Sequence, residues 1–349
     1  MASVTIKDVA AAAGVGVATV SRVLTGTGSV SAATRAKVLA AAKNLDYRPS
    51  ALGRSLKTQR TGGIGLIIPN ISDPFCADFT AGVLACAHGQ GGQVLIDVSH
   101  DDPAIEAEIV ERFAEQRVDG IIAMPVRGRP ETWKSVASLG LGLVFAGRTV
   151  EELPGTATVL ADEAGGVRSV VEYLVGLGHR RVAFLGGRPA ESSTRREHES
   201  VFRATLEELG VAVEEELVVR ARPTADSAYA AAASLFMRRP DLTAVVAASH
   251  QLGEAAVLAS RELNLRIPAD VSIAVVDDVP WSELCDPPLT VVSRPAQDMG
   301  YRACELLLRS PGTREGGRAQ GRPVVLPTEL VVRASCGPVT GSTRTARGR

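Results

Sequence analysis

The chain has 349 residues, of which 45% are hydrophobic and 22% are charged, so it is long enough for two or three domains with apolar cores. No apolar run approaches the roughly 20 residues of a membrane span, and no secretory signal precedes the first helical pattern, so we expect no membrane partner. The five cysteines (76, 86, 285, 304 and 336) show no CxxC or zinc-ligand spacing. We therefore expect a cytoplasmic protein with reduced thiols, no metal and no cofactor.

Charge is divided unevenly along the chain. Residues 1–60 contain nine Lys or Arg and two acids, a formal charge of +7. The remaining residues contain 29 bases and 37 acids, a formal charge of −8, so the whole-chain value of −1 hides the contrast. A basic module can neutralise phosphates while an acidic body is kept off DNA, so this pattern indicates nucleic-acid binding by the N-terminal part.

The chain begins with two short helical patterns. Thr5 is placed to cap the first, Asp8 has the capping-box spacing, and Gly14 stands where that helix should stop. One face of this helix is apolar: Ile6, Val9, Ala10 and Ala13. The second helix has a buried stripe of Val20, Val23 and Leu24. Two such helices around a Gly-containing turn predict a helix-turn-helix, whose second helix lies in a DNA major groove.

A third helix is needed because two short helices cannot bury enough surface alone. Ser31 is its predicted cap, and its apolar stripe is predicted to be Val38, Leu39, Ala42 and Leu45. The alternative is a small helical interaction domain with a solvated basic face. That alternative requires the helix-turn-helix spacing and the charge to coincide by accident.

After a polar, Gly-bearing linker at 57–63, short apolar runs alternate with amphipathic stretches. The predicted strands are Ile64–Ile68, Val94–Val98, Gly120–Met124, Leu143–Ala146, Val182–Leu185, Ala244–Ala247 and Val271–Val276. The predicted helices are Phe79–Gln90, Ile105–Arg117, Ala164–Leu177, Glu199–Leu209, Ala225–Met237 and Gly253–Leu263. This alternation predicts an α/β core of doubly wound parallel sheets, and the strands are too many for one sheet. We expect two similar lobes with a ligand cleft at the carboxyl ends of their strands.

The remaining segments carry little chemistry. Residues 310–323 are rich in Gly and Arg and are predicted to be a mobile loop, and the tail from 338 onwards is predicted to be disordered. The basic tail could contact DNA, although a solvated tail is the simpler interpretation. No GxxxxGK[ST], HExxH or GxSxG motif is present, and Gly62-Gly63-Ile64-Gly65 precedes a strand rather than joining a strand to a helix, so we expect no enzyme.

These patterns together resemble the LacI/GalR family of bacterial transcription regulators from Thr5 to about Val332. The segments that carry the resemblance are Thr5–Leu24, Val30–Arg35, Tyr47–Leu56, Leu177–Val182 with Gly186-Gly187, Ile267–Ser272, Val276–Asp278 and Pro287–Thr290. The resemblance implies a helix-turn-helix headpiece at 1–49, a hinge helix and linker at 50–62, and a periplasmic-binding-protein-like core for effector binding and dimerisation at 63–338. It divides the core into an N-lobe (63–162 and 293–323) and a C-lobe (163–292 and 324–338), followed by a disordered tail at 339–349.

The resemblance also implies how the headpiece contacts DNA. The implied base contacts are Val17, Ala18 and Arg22, because Arg can bond a guanine in two places and small apolar groups can contact a thymine methyl. The implied phosphate contacts are Thr5, Thr19, Ser21, Ser31 and Tyr47. The implied minor-groove hinge consists of Ala51, Leu52, Arg54, Ser55 and Leu56, with Leu56 as the wedge that kinks the DNA. Gly16 and Gly53 depart from the family pattern.

For the cleft, the resemblance implies nine effector-binding positions. They are Phe75, Cys76, Asp162, Ser192, Thr194, His198, Ser249, Asp277 and Arg294. Each could instead have a structural role, and for Asp162 the sequence favours neither the structural role nor effector binding. His198 stands where an arginine is usual, Ser249-His250 replaces Asn-Asp, and Cys76 replaces an aromatic residue. These departures weaken the case for a simple sugar and favour a nucleoside or a modified or larger sugar. The expected effector class is a sugar, a sugar derivative or a nucleoside, and an empty pocket stays an alternative.

The function implied is repression by a homodimer on a near-palindromic operator, with a tetramer as the alternative assembly. A small molecule in the cleft would control it as inducer or corepressor, and the sequence does not decide between them. A solute-binding protein and an enzyme with an attached regulator domain are the competing hypotheses. The basic headpiece and the missing export signal oppose the first, and the missing catalytic motifs oppose the second.

Overall fold

The computed structural model describes residues 4–25, 28–47, 61–187, 193–222, 224–309 and 322–339, without the side chains of residues 25, 137 and 193–195. The chain divides into two compact units, Met1–Gly63 and Ile64–Arg349. Most of the predicted hinge, most of the predicted loop at 310–323 and nearly all of the predicted tail lie outside the described residues.

The described part of the first unit contains three helices, and the predicted caps are confirmed. The helices are α1 (Ile6–Ala13), α2 (Val17–Thr25) and α3 (Ala32–Asn44). Asp8 Oδ2 accepts hydrogen bonds from the backbone N–H and the hydroxyl of Thr5, each at 2.8 Å. Gly14 ends α1 at φ 65°, a left-handed conformation that costs glycine least, and the Ser31 hydroxyl accepts the N–H of Thr34 at 3.3 Å.

The core of this unit is small and aliphatic. Val9, Val20 and Val38, one from each helix, are fully buried. The prediction for Leu39 is wrong, because this side chain is 49% exposed while Ala41 takes the inward position. The physical reason is the helical period: a side chain adjacent to Val38 points about 100° away, whereas those three and four residues further on share its face.

The described part of the second unit contains two six-stranded sheets. The first consists of β1 (Gly63–Ile68), β2 (Gln93–Val98), β3 (Gly120–Ala123), β4 (Gly142–Ala146), β5 (Ala157–Ala161) and β11 (Val324–Leu326). The second consists of β6 (Val182–Gly187), β7 (Val218–Ala221), β8 (Ala244–Ala247), β9 (Ser272–Val276), β10 (Thr290–Ser293) and β12 (Glu329–Val331). Their spatial orders are β11-β5-β4-β3-β1-β2 and β12-β10-β9-β8-β6-β7. These orders confirm two doubly wound lobes.

Helices connect these strands, as expected for parallel pairing. In the first lobe they are α4 (Pro74–Gly89), α5 (Pro103–Glu115), α6 (Pro130–Ser138) and α12 (Ala296–Arg309). In the second they are α7 (Glu163–Gly176), α8 (Ser193–Glu208), α9 (Ala225–Arg238), α10 (His250–Glu262) and the short α11 (Pro280–Leu284). Helix α4 begins five residues before its predicted start because Asp73 caps it, accepting the N–H of Phe75 at 2.9 Å, and Pro74 follows.

The chain crosses between the lobes at a different place from the one expected. We assigned residues 324–338 to the C-lobe, but β11 pairs in parallel with β5 of the first sheet, Val324 opposite Val159. Strand β12 then pairs antiparallel with β10 of the second sheet. The last crossing therefore lies at 327–328. Ladder hydrogen bonds decide lobe membership here, and a three-residue strand carries no pattern from which its partner can be read.

Helices α4 and α12 cross closely in the first lobe. A Cβ on Gly82 would lie 1.9 Å from the carbonyl oxygen of Gln297, and one on Gly300 would lie 1.9 Å from that of Phe79. Glycine is therefore required at both positions. This contact anchors the start of α12, two residues after Arg294, against the helix that carries Phe75 and Cys76.

Candidate functional site

The first candidate site is the outward face of α2. Val17 is 41% exposed, and Ala18 and Arg22 are exposed as well, so the three predicted base contacts lie on one accessible helix while Val20 and Val23 are buried. The stem of Arg22 passes close to Gly28, where a Cβ would lie 3.3 Å from its Cδ. Gly28 also has φ +78°, so a side chain there would be strained and would crowd the arginine.

The predicted phosphate contacts already have structural roles within the headpiece. The backbone N–H and the hydroxyl of Thr5 donate to Asp8, which lowers the pKa of that carboxyl, and Ser31 caps α3. Thr19 and Ser21 are half-buried on α2, and Tyr47 packs partly against the helical core. The phosphate assignments stay predictions. The hinge residues Ala51, Leu52, Arg54, Ser55 and Leu56 lie outside the described residues.

The second candidate site is a cavity of about 670 Å³ lined by segments that follow the strands of both sheets. These segments follow β1 to β5 along the first part of the core and β6 to β10 along the second. Six of the nine predicted effector positions line it: Phe75, Cys76, His198, Ser249, Asp277 and Arg294. We call this cavity the cleft.

Of the other three predicted effector positions, Asp162 lies elsewhere and the remaining two have no described side chain. Asp162 does not line the cleft; its carboxylate instead caps α7 by accepting the N–H of Gly165 at 2.9 Å. The next residue, Glu163, is the acid that reaches the cleft. Ser192 lies outside the described residues, and Thr194 belongs to α8 but its side chain is not described.

The centre of the cleft is occupied by a set of charged side chains that bind one another. Arg294 donates to Glu163 Oε1 at 3.1 Å through one terminal nitrogen and forms an ion pair with Asp277 through the other. Its guanidinium carbon lies 3.8 Å from the centroid of the Phe75 ring, a cation–π contact. We call Arg294, Glu163, Asp277 and the two histidines described next the cleft network.

Both histidines attach to these carboxylates. His198 Nε2 lies 2.6 Å from Glu163 Oε2, and His250 Nδ1 lies 3.5 Å from Asp277 Oδ2. Burial by itself would lower the pKa of His250, but the hydrogen bond with Asp277 and the negative charges of Asp277 and Asp73 together outweigh it, and the pKa is raised. His198 itself is 4% exposed.

Charge pairing sets the protonation of the network. Burial alone would raise the pKa of Glu163, but the Arg294 charge and the hydrogen bond from His198 outweigh it and lower that pKa to about 2. Burial likewise opposes the charge on Arg294, but attraction to Asp277 and Glu163 raises the arginine pKa above its ordinary value. Glu163 and Arg294 are therefore both charged at neutral pH.

Asp277 itself has a strained backbone. It follows β9 with φ 115°, a value rarely adopted by residues with a side chain, and its N–H donates to the carbonyl of Val292 at 3.0 Å. The adjacent Asp278 forms a bidentate ion pair with Arg333. These contacts hold the Asp277 carboxylate against Arg294.

The first-lobe wall contains residues that the sequence did not single out. Arg148 lies 3.7 Å from Asp101 and donates to the carbonyl of Pro125 at 3.2 Å, and both Arg148 and Asp101 line the cleft. Each follows a predicted strand, so the rule that ligands bind at the carboxyl ends of strands could have found them. Cys76 is buried with its sulfur 4.0 Å from the sulfur of Met124, and burial raises the pKa of its thiol to about 12.

Behind that wall, α5 places a carboxylate in an apolar setting. Glu106 is fully buried, and its Oε1 accepts the N–H of Val126 at 2.7 Å in the loop that follows β3. In the part of the chain that the structure describes, its Oε2 and Trp133 Nε1 are buried without a close hydrogen-bond partner. Burial raises the pKa of Glu106 to about 7. Because its Oε1 accepts the N–H of Val126, this carboxyl holds the loop that leads from Met124 at the cleft to Arg129 at the surface.

The described part of the chain offers neither a metal site nor a membrane span. It contains no group of three or more His, Cys, Asp or Glu side chains placed to hold a metal ion. None of its helices has the length and apolar character needed to cross a membrane.

Comparison with protein families matches two segments of the chain. Residues 5–50 match the model for bacterial regulatory proteins of the lacI family, and residues 171–336 match a periplasmic binding protein-like domain. The first match covers α1 to α3, and the second covers most of the second lobe.

Known proteins resemble the chain over nearly its whole length. It is 33% identical over 340 residues to the HTH-type transcriptional regulator DegA of Bacillus subtilis, covering 96% of this chain and 98% of that protein. It is 34% identical over 306 residues to the ribose operon repressor of the same organism, covering 87% and 90%.

Two solved structures extend the comparison to the fold. The regulator CelR in complex with cellobiose is 32% identical, with a TM-score of 0.70 and coverage of 95% of this chain and 99% of that one. The Lac repressor dimer bound to operator and an anti-inducer is 26% identical, with a TM-score of 0.81 and coverage of 96% and 100%.

Proposed function

The chain belongs to the LacI family of bacterial regulatory proteins, and we propose that it represses transcription as a homodimer bound to a near-palindromic operator. It is an HTH-type transcriptional regulator and not an enzyme. The observation that carries the proposal is the single exposed face of α2, on which Val17, Ala18 and Arg22 are accessible above a buried Val20 and Val23. Its site of action is the cytoplasm, on the nucleoid, because its partner is DNA.

Each headpiece reads one half of the operator. Arg22 donates to the O6 and N7 of a guanine, and Val17 and Ala18 contact apolar base edges, which together carry the sequence information. Thr5, Thr19, Ser21, Ser31 and Tyr47 contact phosphates and set the register. Residues 51–56 enter the minor groove between the half-sites, with Leu56 as the wedge.

The effector is a sugar, a sugar derivative or a nucleoside bound in the cleft. Support comes from the volume of about 670 Å³, which lies within the usual range for ligand sites, and from Phe75, Ser249 and the cleft network on its walls. The CelR structure, at 32% identity, contains cellobiose. If the ligand is an inducer, its binding shifts the two N-lobes of the dimer relative to each other, separates the hinge helices and releases the operator. This coupling is reciprocal, so the operator weakens ligand binding by the same factor.

A gel-shift experiment tests the DNA-binding part. The full-length protein is titrated against labelled DNA from upstream of its own gene, at physiological salt and with excess competitor DNA. We expect saturable binding to one site, and the matched variant Arg22→Ala should bind competitor and target alike. If excess competitor DNA completely removed the binding of the wild-type protein to the labelled DNA, the proposal would be contradicted.

The assembly and the effector sign need their own measurements. Sedimentation of the full-length protein distinguishes the expected dimer from a tetramer. Addition of cellobiose, ribose or adenosine to the gel shift then tests control by the cleft: release of DNA identifies an inducer, and tighter binding a corepressor. A complex that none of a broad panel of sugars and nucleosides alters would contradict control by this class of ligand.

A further inference from the structure

Two hydrogen-bonding atoms on the cleft walls are buried without a partner. Among the described residues, His198 Nδ1 and Arg294 Nε have no hydrogen-bond partner, and both residues line the cleft. Buried polar atoms in native proteins are normally paired, so an unpaired one needs an explanation. Elsewhere in the cleft network the bonds run between the network's own side chains.

The bond to Glu163 fixes the proton on the imidazole. Glu163 is ionised and can only accept hydrogen bonds, and its Oε2 lies 2.6 Å from His198 Nε2. Nε2 must therefore carry a hydrogen. In the neutral ring this leaves a lone pair on Nδ1, which is then an acceptor in a wall where Arg294 supplies donors.

We infer that His198 Nδ1 accepts a hydrogen bond from the effector, and that the effector presents a hydroxyl or amino group there and no anionic group. The inference rests on the proposed function, since it assumes that the cleft binds the effector. A sugar hydroxyl suits both unpaired atoms, because it can donate to Nδ1 or accept from Arg294 Nε. A carboxylate or phosphate at this point would face the lone pair of Nδ1 and the negative charge of Glu163. The position of His198 thus selects neutral polyols over sugar acids and sugar phosphates.

The tautomer can be tested without a ligand. In the full-length protein labelled with ¹⁵N-histidine, the spectrum of His198→Gln assigns the His198 signals among the five histidines. We expect the tautomer with a proton on Nε2 and none on Nδ1. A proton on Nδ1 would overturn the inference.

Two substitutions test the contact itself. In His198→Gln, the side-chain amide can keep the hydrogen bond to Glu163 but has no polar atom at the place of Nδ1. In His198→Asn, the shorter amide keeps a polar atom near the place of Nδ1 and loses the hydrogen bond to Glu163. Calorimetry is run with cellobiose, maltose and adenosine as neutral probes, and with cellobionate, glucuronate and glucose 6-phosphate as anionic probes. We expect a neutral probe to bind, His198→Gln to weaken it about tenfold, and His198→Asn to weaken it less.

The outcomes separate this inference from the proposed function. Tighter binding of an anionic probe, equal affinity in His198→Gln and wild type, or binding of none of the six probes each overturns it. Any of these with an intact gel shift leaves the regulator assignment standing. If the wild-type protein shows the expected tautomer but no specific DNA binding, the proposed function is contradicted instead. Thermal melting of both variants shows whether they are folded, and the tautomer result in the wild type stands whether or not they are.

Discussion

The headpiece and the cleft differ in how their functional side chains are positioned. In the headpiece, helices of eight to thirteen residues have their bounds set by local signals. Thr5 with Asp8 and Ser31 stand at helix starts, and Gly14 stands at a helix end. The predicted base contacts need only lie on the face opposite a small aliphatic core. In the cleft, Arg294 meets Glu163 from 131 residues earlier in the chain, and His198 meets the same carboxylate from a third segment.

This difference has an energetic consequence. The predicted base contacts of the headpiece are exposed, so their removal should change DNA binding and hardly affect folding. The cleft groups are buried charges that neutralise one another, so removing one leaves another without a partner. Function and stability are therefore separable at the predicted base contacts and coupled in the cleft.

The strongest test of the comparison is Arg294→Met, which keeps an apolar stem and removes the charge. Glu163 and Asp277 lose their shared partner, so we expect a loss of about 3–5 kcal/mol in the free energy of unfolding at neutral pH. Urea denaturation measures it. The matched control Arg168→Met breaks the exposed pair with Glu208 and should cost at most about 1 kcal/mol.

The pH dependence sharpens this test. The pKa of Glu163 is lowered in the folded state, so its contribution to stability is present above about pH 4.5 and is lost as the pH falls toward about 2. Arg294→Met should lose most of that dependence. Equal denaturation midpoints for the two arginine variants at pH 7 would show that the cleft charges are not coupled to folding.

Glu106→Gln tests a buried carboxyl whose pKa is shifted in the opposite direction from that of Glu163. Burial raises its pKa to about 7, so the folded protein favours the protonated form and loses stability as the pH rises from about 4.5 through 7. The variant should be more stable than the wild type at pH 8, by roughly 3 kcal/mol at most, and no more stable at pH 4. Thermal melting across this range checks it against Glu108→Gln, an exposed position on the same helix; parallel curves for the two variants would exclude the effect.

Arg22→Ala tests the headpiece side of the comparison. We expect a loss of about 1–3 kcal/mol in operator binding, with relaxed preference at one base pair and no change in the melting temperature of the second unit. Lys37→Ala removes the same charge from the exposed surface of α3 and should weaken all sequences to a similar degree. Gel shifts on operator variants measure both. If both substitutions reduced specific binding alike, Arg22 would not be a base contact.

The smallest effects separate burial from exposure within one helix. Val38→Ala removes apolar surface from the core of the headpiece and should cost roughly 1–2 kcal/mol. Leu39→Ala, at an exposed neighbour, should change stability by less than about 0.5 kcal/mol. Hydrogen exchange of the α1 and α3 amides measures local stability. Larger destabilisation by Leu39→Ala would restore the original assignment of this leucine to the core.

Much of the fold could be predicted from the sequence because its signals are local. Helix caps, the Gly14 stop and apolar runs such as Ile64–Ile68 depend on residues close in the chain, and the structure confirms them. Strands β5, β7, β10, β11 and β12 were missed. They are three to five residues long, and their pairing comes from distant partners, as when Val324 aligns with Val159.

The candidate site divides in the same way. The resemblance of the sequence to its family placed six side chains on the cleft, but Asp162 and Glu163 are adjacent acids at a strand end, and only helix geometry decides that the first caps α7 while the second turns inward. The unpaired Nδ1 of His198 is visible only once Glu163 is seen to hold Nε2.

The sequence by itself determined the helix-turn-helix, its basic charge and the two-lobed core, because caps, periodicity and composition act over short distances. The tertiary structure decided where the chain last crosses between lobes, which acid enters the cleft and which histidine nitrogen lacks a partner. Those properties depend on hydrogen bonds between residues far apart in the chain, which no local pattern encodes.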